Sequence, residues 1–444
     1  TNNLYAGLQL CDSIYAFATL RGGVILMDTL GRRTNMVRTN EGILNNQVYG
    51  MVKDNRNAVW LALQTGISQV EPFLPYTFHD KKSGLEGTVS TITRHQGKLY
   101  VGTYDGLFGQ DMITHKFQRV EGVQNGCFSL LSVGEHLFAG SANGVFIISD
   151  AKVREIKKLT ACRALWLSTK NPNRIFVGHR GGLSTLHFKN GQWQHERDFE
   201  EVDVEIRSIV ESNEGDLWLG TTLHQIINIQ FPGLKNEDRR LDPNDFVVKY
   251  YDERDGLPKE TNSVYLIDGD ILVLIFGDNR SLYKFDKRSN KFSGMADFGK
   301  RFGLDSLSIY PIRYQKDGDY ILLESGNSGG RSYRFAASRE SDAYDYSVRR
   351  IYDDRFQSTT ENSVYWDRAD LLWFGGENIT RYNLKIPIDV TPHFSTHIRK
   401  VTIGQDATIY GGENVPFKSV LNYSNNGFRF EFATPGFLGK ETNK

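Results

Sequence analysis

The stretch AVWLALQTGISQVE, residues 58–71, decides the fold of this chain because its pattern recurs. An aromatic opens a short apolar run, a polar turn follows, and a glycine then precedes another apolar residue. Aligned on the aromatic, further copies are FATLRGGV (17–24), YVGTYDGL (100–107), FAGSANGV (138–145), FVGHRGGL (176–183) and WLGTTLHQ (218–225), the last with His224 in place of the glycine. Weaker copies stand at 273–286, 322–335 and 373–383. The anchors at 17, 60, 100, 138, 176, 218, 273, 322 and 373 are 38 to 55 residues apart, which is the period of a structural repeat.

Each copy follows a segment of apolar–polar alternation that ends in a polar turn, as in NQVYGMVKDNRNAVW (46–60), VEIRSIVESNEGDLW (204–218) and NSVYWDRADLLW (362–373). Alternation with period two, rich in Val, Ile, Tyr and Trp and bounded by Asp, Asn and Gly, marks strands joined by tight turns. Four short strands per repeat, with no capped helical periodicity, describe an all-β chain built as a β-propeller. The alternating segment is expected to be the innermost strand of each blade, the aromatic segment the second and the segment after the glycine the third. Trp60, Trp218 and Trp373 then pack between blades, and the glycine supplies positive φ in the turn between second and third strands. Nine copies exceed the usual range of four to eight blades. The expected closure is seven blades over 77–386, with eight or nine as alternatives. Residues 1–76 are then two blades, either the end of a preceding propeller, entered in mid-blade, or part of the same ring. Residues 387–444 alternate cleanly (Val401, Ile403; Phe428, Phe430, Phe432) without the blade phrase, and are expected to form three or four antiparallel strands of a partial β-sandwich in an excerpt of a longer protein.

Composition narrows the function classes. The 444 residues are 39% apolar and 12% aromatic, enough for large cores, and 53 basic residues balance 53 acidic ones. No overall field favours nucleic acid. The longest purely apolar run, ILVLIF at 271–276, is far short of a membrane helix, which needs about 20 residues. Cys11, Cys127 and Cys162 form no CxxC pattern, and ten histidines show no HxH or HExxH spacing, so neither a metal nor another cofactor is expected. The turn before Trp60 and Trp218 lacks the Ser-x-Asp-x-Gly order of the aspartate box, and DGD at 268–270 and 317–319 reads as hairpin chemistry.

The composite GILNNQVYGMVKDNRNAVWLALQTGISQVE (42–71) resembles the repeat of the two-component-regulator propeller family, and DGLPKETNSVYLIDGD (255–270) and TTENSVYWDRADLLWFGG (359–376) fit the same pattern. LNYSNNGFRFEFATPGF (421–437) resembles the first half of the triple-tyrosine, Ig-like domain that follows such propellers. The resemblance implies the periplasmic sensor region of a Bacteroidetes hybrid histidine kinase, homodimeric and anchored in the inner membrane through a segment outside this chain. It also implies an oligosaccharide ligand, control of polysaccharide utilisation, and no catalysis by this chain itself. A propeller glycoside hydrolase or lyase and a non-binding interaction scaffold are the alternatives.

Propeller geometry places the loops entering the inner strands and the turns between second and third strands on one face, around the channel mouth. The candidate ligand-binding residues there are Tyr104, Asp105, Arg163, Trp166, His179, Arg180, Arg207, Asn262 and Asn362. Arg163, Arg180 and Arg207 suit an acidic or sulfated glycan. Tyr104, Trp166 and the asparagines suit a neutral one. The charged insertions at 234–246 and 338–356 are expected to be solvated excursions between blades, or docking surfaces.

Overall fold

The computed structural model describes residues 3–433 apart from 40–41, 55–56, 80–82, 113, 115, 150–151, 233–238, 277–280, 306, 316–318, 326–333, 341–344, 352–362, 369, 387–396, 404–406 and 412–426. The chain divides into two compact units, Leu74–Ile386 on one hand and Thr1–Phe73 with Pro387–Lys444 on the other.

The first unit is a closed ring of seven four-stranded antiparallel blades. Their inner strands are Val89–His95, Cys127–Val133, Ala164–Leu167, Ile206–Glu211, Thr261–Ile267, Ile309–Gln315 and Ser363–Arg368; the blades are numbered 1 to 7 in that order. As the sequence predicts, the aromatic segment is the second strand and the segment after the glycine the third, for instance Lys98–Thr103 and Gly106–Gln110 in blade 1. Seven separate apolar cores lie between consecutive blades. Phe138 of blade 2 packs with Ile175 and Trp193 of blade 3, Trp218 of blade 4 with Val264 and Val273 of blade 5, and Trp373 of blade 7 with Leu99 and Val101 of blade 1. A β-sheet buries both faces only when a neighbour covers each. Seven cores for seven blades therefore exclude the eight- and nine-bladed alternatives.

Closure uses two devices. The outer strand of blade 7 is Tyr76–His79, from the beginning of the ring, paired antiparallel with Ile379–Asn383 at its end. Beside this seam, Arg94 of blade 1 binds Asp367 of blade 7 bidentately (Nε to Oδ1 and Nη2 to Oδ2, both 2.6 Å). Asp367 also accepts the Trp373 indole N–H at 3.1 Å. The Asp367 side chain is 4% exposed. Burial alone would raise its carboxyl, but the hydrogen bonds from Arg94 and Trp373 outweigh that effect and hold it below the usual carboxylate range.

The repeat phrase carries two backbone constraints. The residue six after the anchor takes positive φ in every strong copy: Gly23, Gly66, Gly106, Gly144, Gly182 and also His224, at +58°. His224 thus keeps the turn geometry without the glycine, at a steric cost of about 1–2 kcal/mol. In five copies the residue two after the anchor is a second glycine (Gly102, Gly140, Gly178, Gly220 and Gly375), and its role is packing. A Cβ on Gly102 would lie 2.6 Å from the Cys127 carbonyl, one on Gly140 2.8 Å from the Cys162 carbonyl, and one on Gly375 2.3 Å from Val89 Cγ1. These glycines let adjoining backbones approach where the inner strands converge. Serines fasten the same approach: the Ser129 hydroxyl donates to the Cys162 carbonyl at 3.2 Å, and Ser208 Oγ accepts Val264 N–H at 3.0 Å.

Two expectations are corrected. Part of the 234–246 insertion is bound rather than solvated: Leu241 and Phe246 are buried in the core between blades 3 and 4. Around them Arg174 pairs bidentately with Glu196 at 2.9 Å, Glu196 accepts Leu241 N–H at 2.9 Å, and Arg174 donates to the Arg239 carbonyl at 2.8 Å. In the 338–356 insertion, Arg339 and Tyr346 reach Asp268 at 2.7 and 2.8 Å, and Arg301 reaches it at 3.1 Å. Asp268 and Gly269, both at positive φ, make the tight hairpin turn expected of DGD at 268–270; residues 317–318 lie outside the described residues.

In the second unit, Leu4–Cys11, Ile14–Thr19, Val24–Asp28 and Arg33–Val37 form a four-stranded antiparallel sheet. It shares a core with the three-stranded sheet of Val48–Lys53, Val59–Leu63 and Ile67–Val70. A further three-stranded sheet pairs His397–Ile403 with Ala407–Tyr410 and Phe428–Ala433. Phe428, Phe430 and Phe432 are 46%, 54% and 68% exposed.

Two measurements test this account. Gly102→Ala should destabilise the ring by about 1–3 kcal/mol through overpacking, whereas Gly294→Ala, where an added Cβ meets nothing within 4 Å, should leave the denaturant midpoint nearly unchanged. Because the Asp367 pKa is depressed on folding, its contribution is present above the unfolded value of about 4 and is lost as pH falls through the folded value. Asp367→Asn should lower stability at pH 7 by up to about 3 kcal/mol, since Arg94 remains partly solvated, and should flatten the acid limb of the pH–stability curve.

Candidate functional site

The entry loops and second-to-third turns of blades 1 to 4 bring several candidate residues together. Tyr104, in the blade 1 turn, is 52% exposed and meets the Phe128 ring edge-on at 5.7 Å. Arg163, at the entry to blade 3, lays its guanidinium over the same Phe128 ring, 4.3 Å from its centroid. Its Nε donates to Glu205 Oε1 at 3.1 Å, and Arg207 approaches the same oxygen at 3.4 Å. Tyr104, Phe128, Arg163, Glu205 and Arg207 thus form one continuous array across four blades. Its order comes from the stacked cation, because exposed ion pairs alone contribute only about 0–1 kcal/mol.

Beside this array lies an open cleft of ≈ 480 Å³ against blade 2. Gln124 and Asn125, in the loop entering blade 2, and Asn143, in its second-to-third turn, supply three carboxamides. Phe146 forms an apolar wall, and Glu155 and Lys158 stand at the outer strand. The loop runs directly into the array, since a Cβ on Gly126 would lie 3.0 Å from the Phe128 ring and 3.1 Å from the Tyr104 carbonyl. Sequence reading missed these residues although Asn143 stands inside the quoted copy FAGSANGV; a strand-turn asparagine carries no mark that separates turn chemistry from a ligand contact.

Other candidates are placed elsewhere or used internally. Asp105 and Arg180 are exposed turn residues; the Asp105 carbonyl accepts Arg119 Nη1 at 2.5 Å, and the Arg180 N–H donates to the Thr160 carbonyl at 2.9 Å. Trp166 is half-buried, with part of its ring spent on packing against the blade 3–4 core, and its buried indole N–H has no hydrogen-bond partner among the described residues. Asn262 is 3% exposed. Its Oδ1 accepts Thr221 N–H at 3.1 Å and its Nδ2 donates to the Gln225 carbonyl at 3.3 Å, which makes it a clamp on the blade 4 turn. Asn362 lies outside the described residues.

His179 is also internal. It is 8% exposed, with Nε2 2.9 Å from Ser184 Oγ, and Ser184 Oγ is 2.7 Å from Asp198 Oδ1. Against the upward effect of burial, hydrogen bonds from Ser184, His195 and Lys157 hold the Asp198 carboxyl at about 2. An ionised carboxylate only accepts, so the single Ser184 proton goes to Asp198. His179 Nε2–H therefore donates to Ser184, and Nδ1 accepts Gly181 N–H at 3.1 Å. Burial pushes the imidazole below its ordinary pKa, consistent with this neutral tautomer. The three residue types of a nucleophilic triad are present in the wrong order. Ser184 is fully buried and its proton is committed to the acid, so His179 does not activate it. Among the described residues no group of three or more His, Cys, Asp or Glu side chains is placed to hold a metal, and no helix is long and apolar enough to cross a membrane.

No family model and no curated protein matches the chain. Among solved structures, the extracellular domain of a hybrid two component system from B. thetaiotaomicron is 19% identical with a TM-score of 0.61, covering 97% of this chain and 59% of that one. The extracellular domain of a second such system from the same organism is 12% identical with a TM-score of 0.49, covering 92% and 56%. The chain thus spans well under two thirds of the length of these structures. The first comparison shows a shared fold.

The distinction between clamp and contact is measurable. Asn262→Ala should lower stability by about 1–3 kcal/mol, because it leaves buried backbone groups of the blade 4 turn unpaired. Tyr104→Ala and Arg207→Ala should each change it by less than about 1 kcal/mol. Equal losses in chemical denaturation for all three would contradict these placements.

Proposed function

We propose that this chain is part of the extracellular, periplasmic sensor region of a hybrid two-component system of the two-component-regulator propeller type, and that it detects oligosaccharides without transforming them. The observation that carries the reading is the fold shared across 97% of the chain with a sensor extracellular domain, on a propeller whose mouth presents side chains not spent on packing. The repeat phrases and the order of propeller followed by antiparallel sheet support the same family. Fold alone never decides function, and the screen below separates binding from turnover.

On this reading, residues 1–73 are blades of an adjoining propeller, residues 74–76 belonging to the seven-bladed ring instead, and residues 387–444 begin a triple-tyrosine domain. The exposed Phe428, Phe430 and Phe432 edge suits that role, since a lone three-stranded sheet leaves an apolar face bare. The kinase, the membrane anchor and the homodimer contacts then belong to the full-length protein.

A ligand that binds only the folded state stabilises it by mass action, by about 2.7 kcal/mol at one hundred times its Kd. A thermal-shift screen against neutral and acidic oligosaccharides should therefore find a class that raises the melting temperature without being cleaved. Cleavage products would point to a glycosidase or lyase, and silence across both classes would leave the interaction scaffold.

A further inference from the structure

We infer that the cleft against blade 2 is the ligand seat and that it takes an uncharged oligosaccharide, read by the carboxamides of Gln124, Asn125 and Asn143. This rests on the sensor reading above and goes beyond it in naming the place and the class.

The argument begins with unspent hydrogen-bonding capacity. Each carboxamide offers one acceptor oxygen and two N–H donors, and among the described residues none of these three side chains has a hydrogen-bond partner in the protein. They stand on two segments, the blade 2 entry loop and the blade 2 turn. Both segments are held by backbone bonds: Ala142 N–H donates to the Gly126 carbonyl at 2.7 Å, and Leu159 N–H to the Asn143 carbonyl at 3.2 Å. Asn143 N–H is further tied to Ser141 Oγ at 3.1 Å. The donors and acceptors are thus carried on pinned backbone, which lowers the entropy lost on binding. A ligand dense in hydroxyl groups, each both donor and acceptor, matches such a set.

The remaining lining fits the same class. Phe146 offers a half-exposed ring for the apolar face of a sugar, and its other contacts belong to the blade 1–2 core. The volume of ≈ 480 Å³ lies within the roughly 300–1,000 Å³ of small-molecule sites. Tyr104 and Phe128 extend the surface from the cleft for further sugar units.

Charge decides between neutral and acidic glycans. The cationic candidates Arg163, Arg180 and Arg207 are matched in number by Asp105, Asp203 and Glu205 in the same turns and entry loops, and Glu205 engages two of the three arginines. Lys158 is likewise matched by Glu155 at the cleft. An anionic ligand needs a site with surplus positive charge, and here the charges cancel. The neutral class survives even though Asn262 does not serve it, because the amides of blade 2 replace it.

The test titrates the chain with neutral oligosaccharides (gluco-, xylo-, manno- and arabino-oligosaccharides) and with acidic ones (oligogalacturonides and sulfated glycosaminoglycan fragments) by calorimetry at low and high salt. The expected result is binding of a neutral series with a Kd nearly independent of salt. Asn125→Ala with Asn143→Ala should weaken it by about tenfold or more, Phe146→Ala should weaken it comparably, and Arg207→Ala should change it by less than about threefold. Melting temperatures of the ligand-free variants check that the fold persists, and Asn143→Gln retains the amide chemistry as a milder variant. Salt-sensitive binding of an acidic series that is lost in Arg207→Ala would overturn this inference and leave the sensor reading standing. Neutral binding indifferent to the blade 2 variants would overturn the location. No binding in either series would overturn both readings.

Discussion

Closure of the ring is the constraint on which the rest of the propeller depends. Tyr76–His79 completes the sheet of Ile379–Asn383 across some three hundred residues of intervening chain, and Arg94 reaches Asp367 over the same seam. The loop-closure entropy of such a contact grows only slowly with length, so a short strand and one bidentate pair suffice. Opening the seam would uncover the apolar faces around Trp373 and Leu99, and burial of apolar surface contributes about 25 cal/mol per Å².

The same geometry separates scaffold from site. Where inner strands converge, glycines such as Gly102 and Gly140 stand closer to the next blade than any side chain permits, and the serine clamps bind backbone to backbone. Free choice of side chain is therefore left mainly to the entry loops and turns. There the chain places Tyr104, Arg163 and Arg207 on one side and Gln124, Asn125 and Asn143 on the other. Even within the turns, geometry claims some residues: Asn262 holds the blade 4 turn, where His224 at positive φ replaces a glycine.

Buried charge serves the scaffold. The Arg174–Glu196 pair, 3% and 1% exposed, is satisfied by Leu241 N–H and the Arg239 carbonyl from an insertion. A buried ion pair is tolerated only when its remaining hydrogen bonds are met, which explains why a charged excursion folds back onto blades 3 and 4.

The propeller architecture, the order of strands within a blade, the positive-φ turn and the packing role of Trp218 and Trp373 were legible in residues 58–71 and their copies, because those features depend on local pattern repeated at a fixed period; the count of seven was not, since nine copies left eight or nine blades open. The packing glycines of the second strand were visible as letters, but their purpose was not, since the atoms they avoid belong to the next blade. The sequence by itself determined that the candidate residues sit in or beside entry loops and second-to-third turns of the blades. Only the tertiary structure decided which residues there are available, removing His179 and Asn262 and adding the blade 2 amides. The physical reason is that hydrogen-bond partners and charge balance are set by residues tens of positions apart, and no local pattern encodes whether a polar side chain is already satisfied.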